Sequence, residues 1–267
     1  MKKTILIITI SIISCTNNDV IVNTAIDDNV VDLKGKLKTL EFVINTHYQK
    51  NDELVPYKDI TKEDYIYYAN GLLKEVRAIQ YSIDSNTTNP VINSDTITHL
   101  KEYKYENNRI KEIQTYRKGN SITIESFNYT GDLITERIEA YNSSYYTYKY
   151  TYNSAKELIK EEMYKNQYPS PITIIEFINT NGVITHETQT KGDNAYSIEY
   201  IYDEYHNPLK DILPSAFLKI LKEGKNNRLN KYNNISNITY NSDNYPLQKI
   251  DSDDYNTILE TYYQYYK

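Results

Sequence analysis

Only one cysteine stands among the 267 residues, there is no tryptophan, and glycine and phenylalanine number seven and four. A lone thiol excludes a disulfide framework and a cysteine-built metal site. The four histidines, His47, His99, His186 and His206, show no His-x-x-x-His spacing and no motif tying them to carboxylates, so no metal centre is expected. Gly-x-Ser-x-Gly, the phosphate loop and the dinucleotide fingerprint are all missing, so no catalytic residue and no cofactor is singled out. The acidic cluster Asp251-Ser252-Asp253-Asp254 lacks the Gly and distal Glu of a calcium loop and reads as a solvated turn. Carboxylate pairs for glycoside hydrolysis can be drawn from 36 acids, but none is marked by an apolar setting.

Basic residues are also in deficit. The chain has 30 Lys and Arg against 36 Asp and Glu, and from Cys15 onward Lys2 and Lys3 drop out, leaving 28 against 36. Such a surface repels phosphate backbones, and no basic run overrides the sign, so nucleic acid is not an expected partner.

What the sequence does have is tyrosine, thirty of them against four Phe. A/T-rich codons would favour both residues alike, so the imbalance needs a physical cause. Tyr suits places where a ring is buried while its hydroxyl reaches water or a partner.

The N-terminus carries the most specific motif. Lys2 and Lys3 precede an apolar stretch over Thr4–Ile13, too short for a bilayer span of about 20 residues but of secretory size. It closes on Ile12-Ile13-Ser14-Cys15. This resembles a bacterial lipoprotein signal peptide with its lipobox, and the resemblance covers the first fifteen residues. It implies removal of residues 1–14 and lipidation of Cys15, which would bind the protein to a membrane, as expected for an outer-membrane lipoprotein of the cell envelope. The alternative is an ordinary signal peptide with an incidental Cys. Residues 15–35 are polar and acidic without period and read as a tether, and residues 36–267 as a single repeat-built β domain.

A unit recurs through that domain: two apolar residues spaced by one, a polar turn, then an aliphatic residue opening a second strand. It is read at Ile66-x-Tyr68 to Leu73, Tyr103-x-Tyr105 to Ile110, Phe127-x-Tyr129 to Ile134 and Tyr150-x-Tyr152 to Ile159. It continues at Ile175-x-Phe177 to Ile184, Tyr200-x-Tyr202 to Leu209 and Ile238-x-Tyr240 to Leu247. Four of the six unit spacings are 23–25 residues, and the other two, 37 and 38, hold insertions. Period-two placement is the strand signature, and turns such as Asn107-Asn108 and Asn181-Gly182 tolerate positive φ. The second strands open Leu73-Lys-Glu-Val76, Ile110-Lys-Glu-Ile113, Leu209-Lys-Asp-Ile212 and Leu247-Gln-Lys-Ile250, with apolar residues three apart. A flat strand cannot put both inside, so a β-bulge is expected at each Lys-Glu pair. Ser215–Gly224 breaks the pattern with helical spacing, a cap-type Ser and a terminal Gly, and a short helix is expected over 216–223.

The units Tyr200–Leu209 and Ile238–Leu247 resemble the YD-type repeats of RHS proteins, and the chain over roughly 60–266 is similar to Bacteroidota lipoproteins carrying degenerate copies of them. The literal Tyr-Asp survives only at Tyr202-Asp203. The resemblance implies an all-β, continuous antiparallel meander of repeated hairpins, and it supplies no catalytic residues. About fourteen or more strands should curl or fold over; a flat single layer is the alternative. Tyr146, Tyr148, Tyr150 and Tyr152 alternate on one face, as do Tyr196, Tyr200 and Tyr202, and these form a candidate aromatic face. The rings read either as the core of a sheet poor in Leu and Val or as a platform for sugars. The function expected is non-catalytic ligand binding in the envelope, with a glycan as one ligand class. The alternatives are an assembly component packing on another envelope protein and, last, a hydrolase.

Overall fold

The computed structural model describes residues 32–50, 53–84, 97–117, 121–166, 168–224, 226–231, 234–252 and 258–267. Residues 1–31, which include the expected signal peptide, Cys15 and most of the expected tether, lie outside them.

The first eight strands are β1 (Leu37–Lys50), β2 (Glu53–Tyr67), β3 (Leu73–Asp84), β4 (Ile97–Glu106), β5 (Arg109–Arg117), β6 (Ser121–Thr130), β7 (Leu133–Tyr141) and β8 (Ser144–Tyr152). The meander continues through β9 (Leu158–Lys165), β10 (Thr173–Thr180), β11 (Val183–Lys191) and β12 (Asn194–Glu199). An insertion then carries β13 (Tyr202–His206), a 3-10 turn over Pro208–Asp211, helix α1 (Ser215–Ile220), β14 (Asn226–Arg228), β15 (Asn230–Lys231) and β16 (Asn234–Ile235). Strands β17 (Asn237–Tyr240), β18 (Pro246–Ser252) and β19 (Ile258–Tyr265) close the chain. Fifteen strands form one antiparallel sheet, ordered β12 back to β1 and then β19-β18-β17; β13 pairs only with β14, and β15 only with β16.

The bulges expected at the two Lys-Glu pairs are present, while Leu209-Lys-Asp-Ile212 forms a 3-10 turn and no strand. Ile66 pairs with Glu75 and Tyr67 with Leu73, so Lys74 is the extra residue. Lys104 pairs with Glu112 and Tyr105 with Ile110, leaving out Lys111. The same slip recurs at Thr135, Ile159, Thr185 and Leu247. Each bulge turns the chain by one face, so that Leu73 and Val76, or Ile110 and Ile113, are both buried.

The registers correct four sequence assignments. The inward pair of the first unit is Tyr65-x-Tyr67, opposite Val76 and Leu73, and Tyr68 is largely exposed. The run Tyr65-Ile66-Tyr67-Tyr68 is apolar on both faces, so alternation alone cannot choose between them. On β10 Ile175 and Phe177 are both buried as read, and the pair nearest the turn is Phe177-x-Asn179, two residues further along the same face, opposite Glu187 and Ile184. Ile159 and Leu247 occupy the bulges, and the buried residues that face the rings are Leu158 and Pro246. Tyr200–Leu209 is no hairpin, because Leu209 sits in the 3-10 turn and β13 pairs with β14.

The helix is also shorter than 216–223. Its N-cap is Pro214, Ser215 is its first residue, and Lys222 at φ 62° lies beyond the C-cap Leu221, so the chain leaves the helix before Gly224.

The repeat supplies one reason for the excess of Tyr over Phe. The β5–β6 ladder begins at Glu112 and Ser126, so the carbonyl of Ile110, before the bulge, has no ladder partner from β6. The Tyr129 hydroxyl donates to it at 2.8 Å. Tyr67 does the same for Leu37 at 2.6 Å, Tyr152 for Ile134 at 2.7 Å and Tyr265 for Pro246 at 2.9 Å. The Asn179 amide donates to Leu158 at 2.7 Å. Only Tyr105, at the equivalent place beside Leu73, has a buried hydroxyl with no partner among the described residues. A phenyl ring could fill these sites but could not satisfy the carbonyl. Phe127 is buried in the core and packs edge-on against Phe217 at 5.4 Å.

One copy of the unit is assembled from the two chain ends. Tyr265 pairs with Leu37, Gln264 with Thr39, and Lys38 is left out as the bulge residue. Gly35, at φ 81°, donates its N–H to Tyr266 at 3.0 Å, and the Tyr266 N–H donates back to Lys36 at 2.9 Å.

The sheet is curled. Tyr200 bonds Glu187 on β11 while Asp203 accepts from Tyr240 on β17. In a flat sheet those strands would lie about 60 Å apart at ~4.8 Å per strand, yet three residues of chain span at most about 10 Å. The two edges therefore approach each other, and the insertion fills the gap between them without a continuous ladder. The flat single layer is excluded. Inside, the bulged end is apolar: Ile212, Leu213, Phe217, Leu218 and Ile220 of the insertion pack against Leu73, Ile110, Ile134 and Phe127 from the wall.

Candidate ligand-binding site

Above this apolar end the inner wall becomes polar. Arg137 pairs in register with Phe127 and so faces inward. Its guanidinium reaches Glu125 at 3.3 Å and Glu139 at 3.9 Å, and lies 3.9 Å from the centre of the Tyr148 ring. Burial pushes the Glu125 carboxyl up, with Arg137 opposing. Across the lumen Lys222 of the insertion faces Glu187 at 3.5 Å and Glu161 at 3.8 Å. Burial raises Glu161 as well, against the pull of Lys222. His99 faces Glu63 at 3.8 Å, and burial lowers its pKa.

The tyrosines singled out by alternation fall into this layered interior. Tyr146, Tyr148, Tyr150 and Tyr152 share the inner face of β8. Tyr150 is in the core, Tyr152 is tied to Ile134, and Tyr148 is covered by Arg137, with burial pushing its hydroxyl up to about 12. Tyr146 is half-buried, one step nearer the opposite end. Tyr196 on β12 is 53% exposed, the most open of the set. Tyr200 donates to Glu187 at 2.6 Å. Tyr202 does not continue the β12 face, because the chain leaves the main sheet after Glu199 and Tyr202 opens β13.

Two cavities flank the insertion. The larger, about 260 Å3, lies between it and β1, β2, β17, β18 and β19. Leu37, Leu40, Phe42, Tyr65, Ile238 and Tyr263 form its apolar wall, with Pro208 and Leu209 opposite. Glu63, Lys249, Asn207, Asn227, Glu223 and Arg228 supply the polar groups. Glu63 accepts from the Tyr65 hydroxyl at 3.0 Å. Glu223 accepts from Asn207 at 2.7 Å, and burial pushes its carboxyl up, against that bond and the charges of Arg228 and Lys249. Lys249 faces Asp251 at 3.4 Å. Arg228 lies 4.9 Å from the Tyr200 ring centre. The smaller cavity, about 220 Å3, is on the other side of Glu223, with Leu158, Val183, Ile184, Tyr202, Lys219 and Lys222 around it.

None of these polar groups carries a motif. The one sign of them in the sequence is the long spacing before the seventh unit, which marks where a lumen-filling segment enters. His206 closes β13 with Lys210 Nζ 2.6 Å from its Nδ1. Asp251 accepts from Ser236, while Asp253 and Asp254 lie outside the described residues. Among the described residues no three His, Cys, Asp or Glu side chains are grouped to hold a metal.

The outer wall is charged near the bulged end. Lys104 meets Glu112 at 2.8 Å, Arg109 meets Asp132 at 2.7 Å and Lys160 meets Glu162 at 2.9 Å. Towards the other end Ile122 and Ile124 are 43% and 37% exposed.

No family model matches the sequence, and no curated protein matches it. Among solved structures, the chain is similar to a porin-like protein from Bacteroides uniformis, with a TM-score of 0.53 at 9% identity, over 87% of this chain and 98% of that one. The likeness is one of fold.

Proposed function

We propose that this chain is a non-catalytic, lipid-anchored protein of the bacterial envelope that binds a small ligand inside its curled sheet. The observation that carries the reading is the larger cavity, where an aromatic and aliphatic wall meets six convergent polar side chains. The Cys15 motif supports the anchor, and the fold shared with a porin-like protein fits an envelope setting. The charged outer wall near the bulged end favours an anchored protein over one whose wall is apolar there. A membrane barrel carries an outward apolar band about 25 Å tall, and Lys104, Glu112, Lys160 and Glu162 leave no part of such a band at the bulged end. The two carboxyls in the cavity favour binding over hydrolysis, since Glu63 is held by Tyr65 and Glu223 by Asn207. A second reading, docking on another envelope protein, rests on the exposed Ile122 and Ile124.

The test is metabolic labelling with an alkyne palmitate, followed by fractionation and a glycan screen of the full chain in detergent. The wild type should take label and sediment with membranes, and Cys15→Ser should do neither. Label on the Cys15→Ser chain, or a screen with no ligand, would defeat the anchor or the binding reading respectively.

A further inference from the structure

One cation on the wall of the larger cavity, Arg228, has no carboxylate partner among the described residues. Every other charged group on its wall has a polar partner, as described above. Arg228 projects from β14 and is oriented by the Tyr200 ring 4.9 Å away. No carboxylate among the described residues lies within ion-pair distance of it, while Lys222 and Lys249 both have one. Glu223 is near enough to feel its charge, but that carboxyl is bonded to Asn207 and burial favours its neutral form. A guanidinium presents a planar fork that matches a carboxylate through two parallel hydrogen bonds. The same cavity is lined by Leu40, Phe42, Tyr65 and Tyr263, a wall suited to the flat side of a ring. At about 260 Å3 the cavity is below the usual range of small-molecule pockets, about 300–1,000 Å3, so it holds one ring and not a chain of them.

We infer that the ligand of this cavity is a carboxylate borne on a single six-membered ring, with the carboxylate on Arg228 and the ring against the Phe42–Tyr65–Tyr263 wall. This rests on the ligand-binding reading above. Two sources share the chemistry: a uronic acid, the acidic sugar of many polysaccharides, and a hydroxyl-free cyclic acid.

Calorimetric titration of the full chain in detergent with glucuronate, cyclohexanecarboxylate and glucose separates the possibilities. The inference expects at least one acid to bind about tenfold or more tighter than glucose. It expects Arg228→Leu to erase that preference and Arg228→Lys to retain part of it, with thermal melts of both variants matching the wild type. Glucuronate alone binding assigns the sugar source; cyclohexanecarboxylate binding equally well assigns the apolar acid. Glucose binding as tightly as the acids, or an acid preference that survives in Arg228→Leu, overturns the carboxylate inference and leaves ligand binding standing. No heat from any of the three overturns the ring-carboxylate assignment, and the glycan screen then decides the broader reading by itself. If Arg228→Leu fails to fold, the Arg228→Lys titration decides, and an undiminished preference there overturns the proposal.

Discussion

Replacing tyrosine by phenylalanine at equivalent places in the repeat should have opposite effects at different copies. At Tyr129 and Tyr152 the hydroxyl donates to the carbonyls of Ile110 and Ile134 at 2.8 and 2.7 Å. Loss of a net hydrogen bond costs about 0.5–1.5 kcal/mol, and stranding a buried acceptor about 1–3 kcal/mol. Ile110 and Ile134 are fully buried, so the stranded acceptor dominates and about 1–3 kcal/mol is expected for Tyr129→Phe or Tyr152→Phe. At Tyr105 the hydroxyl is buried with no partner among the described residues. Its removal breaks no bond and relieves a desolvation penalty, so Tyr105→Phe should lie between neutral and about 1 kcal/mol stabilising. The ring volume is unchanged in all three, so packing cancels. Equilibrium urea unfolding resolves the difference of about 2 kcal/mol, which corresponds to several degrees in Tm for a chain of this size. If Tyr105→Phe loses as much as Tyr129→Phe, the bonds from ring to bulge carbonyl are not what favours Tyr over Phe, and the argument fails.

Further consequences concern pH and the turns. Burial pushes the hydroxyls of Tyr129, Tyr148 and Tyr202 up to about 12, and those of Tyr67 and Tyr150 higher still. Between pH 10 and 12 the unfolded chain loses protons that the folded chain keeps, so stability is intact below pH 10 and falls as pH rises beyond it. Phenolate absorbance near 295 nm should therefore grow in a late step coincident with loss of the β signal in circular dichroism, and full titration near pH 10 with the fold intact would contradict this. In the hairpin turn Asn181-Gly182, with φ of 54° and 81°, Gly182→Ala should cost about 1 kcal/mol. At Asn107-Asn108, with φ of 52° and 60°, Asn108→Gly should gain a few tenths. Urea midpoints that move the other way would show that turn conformation does not limit stability.

Much of the architecture was legible because its signals are local. Period-two rings, turn residues that accept positive φ and the Leu-Lys-Glu-Val spacing all act over fewer than ten residues, and together they specify bulged hairpins. Where the reading slipped by one residue, as at Tyr65–Tyr68, Leu158-Ile159 and Pro246-Leu247, apolar residues occupy both faces and alternation is degenerate. Strand β1 and most of β2 precede the first unit, and their sequence does not carry its pattern. The candidate site was less visible. Arg228, Glu223, Asn207 and Lys249 come from separate segments, and none has a partner at fixed spacing.

The sequence by itself determined the class: an antiparallel, tyrosine-rich meander with one helical interruption. Tertiary structure alone decided three things. It joined β19 to β1, completing a repeat from two chain ends that lie some 230 residues apart. It curled the sheet until its edges met the insertion. It gathered the charged groups of the lumen around the cavity. Each depends on pairings between distant residues, and strand pattern constrains which face a residue takes without specifying which strand lies beside it.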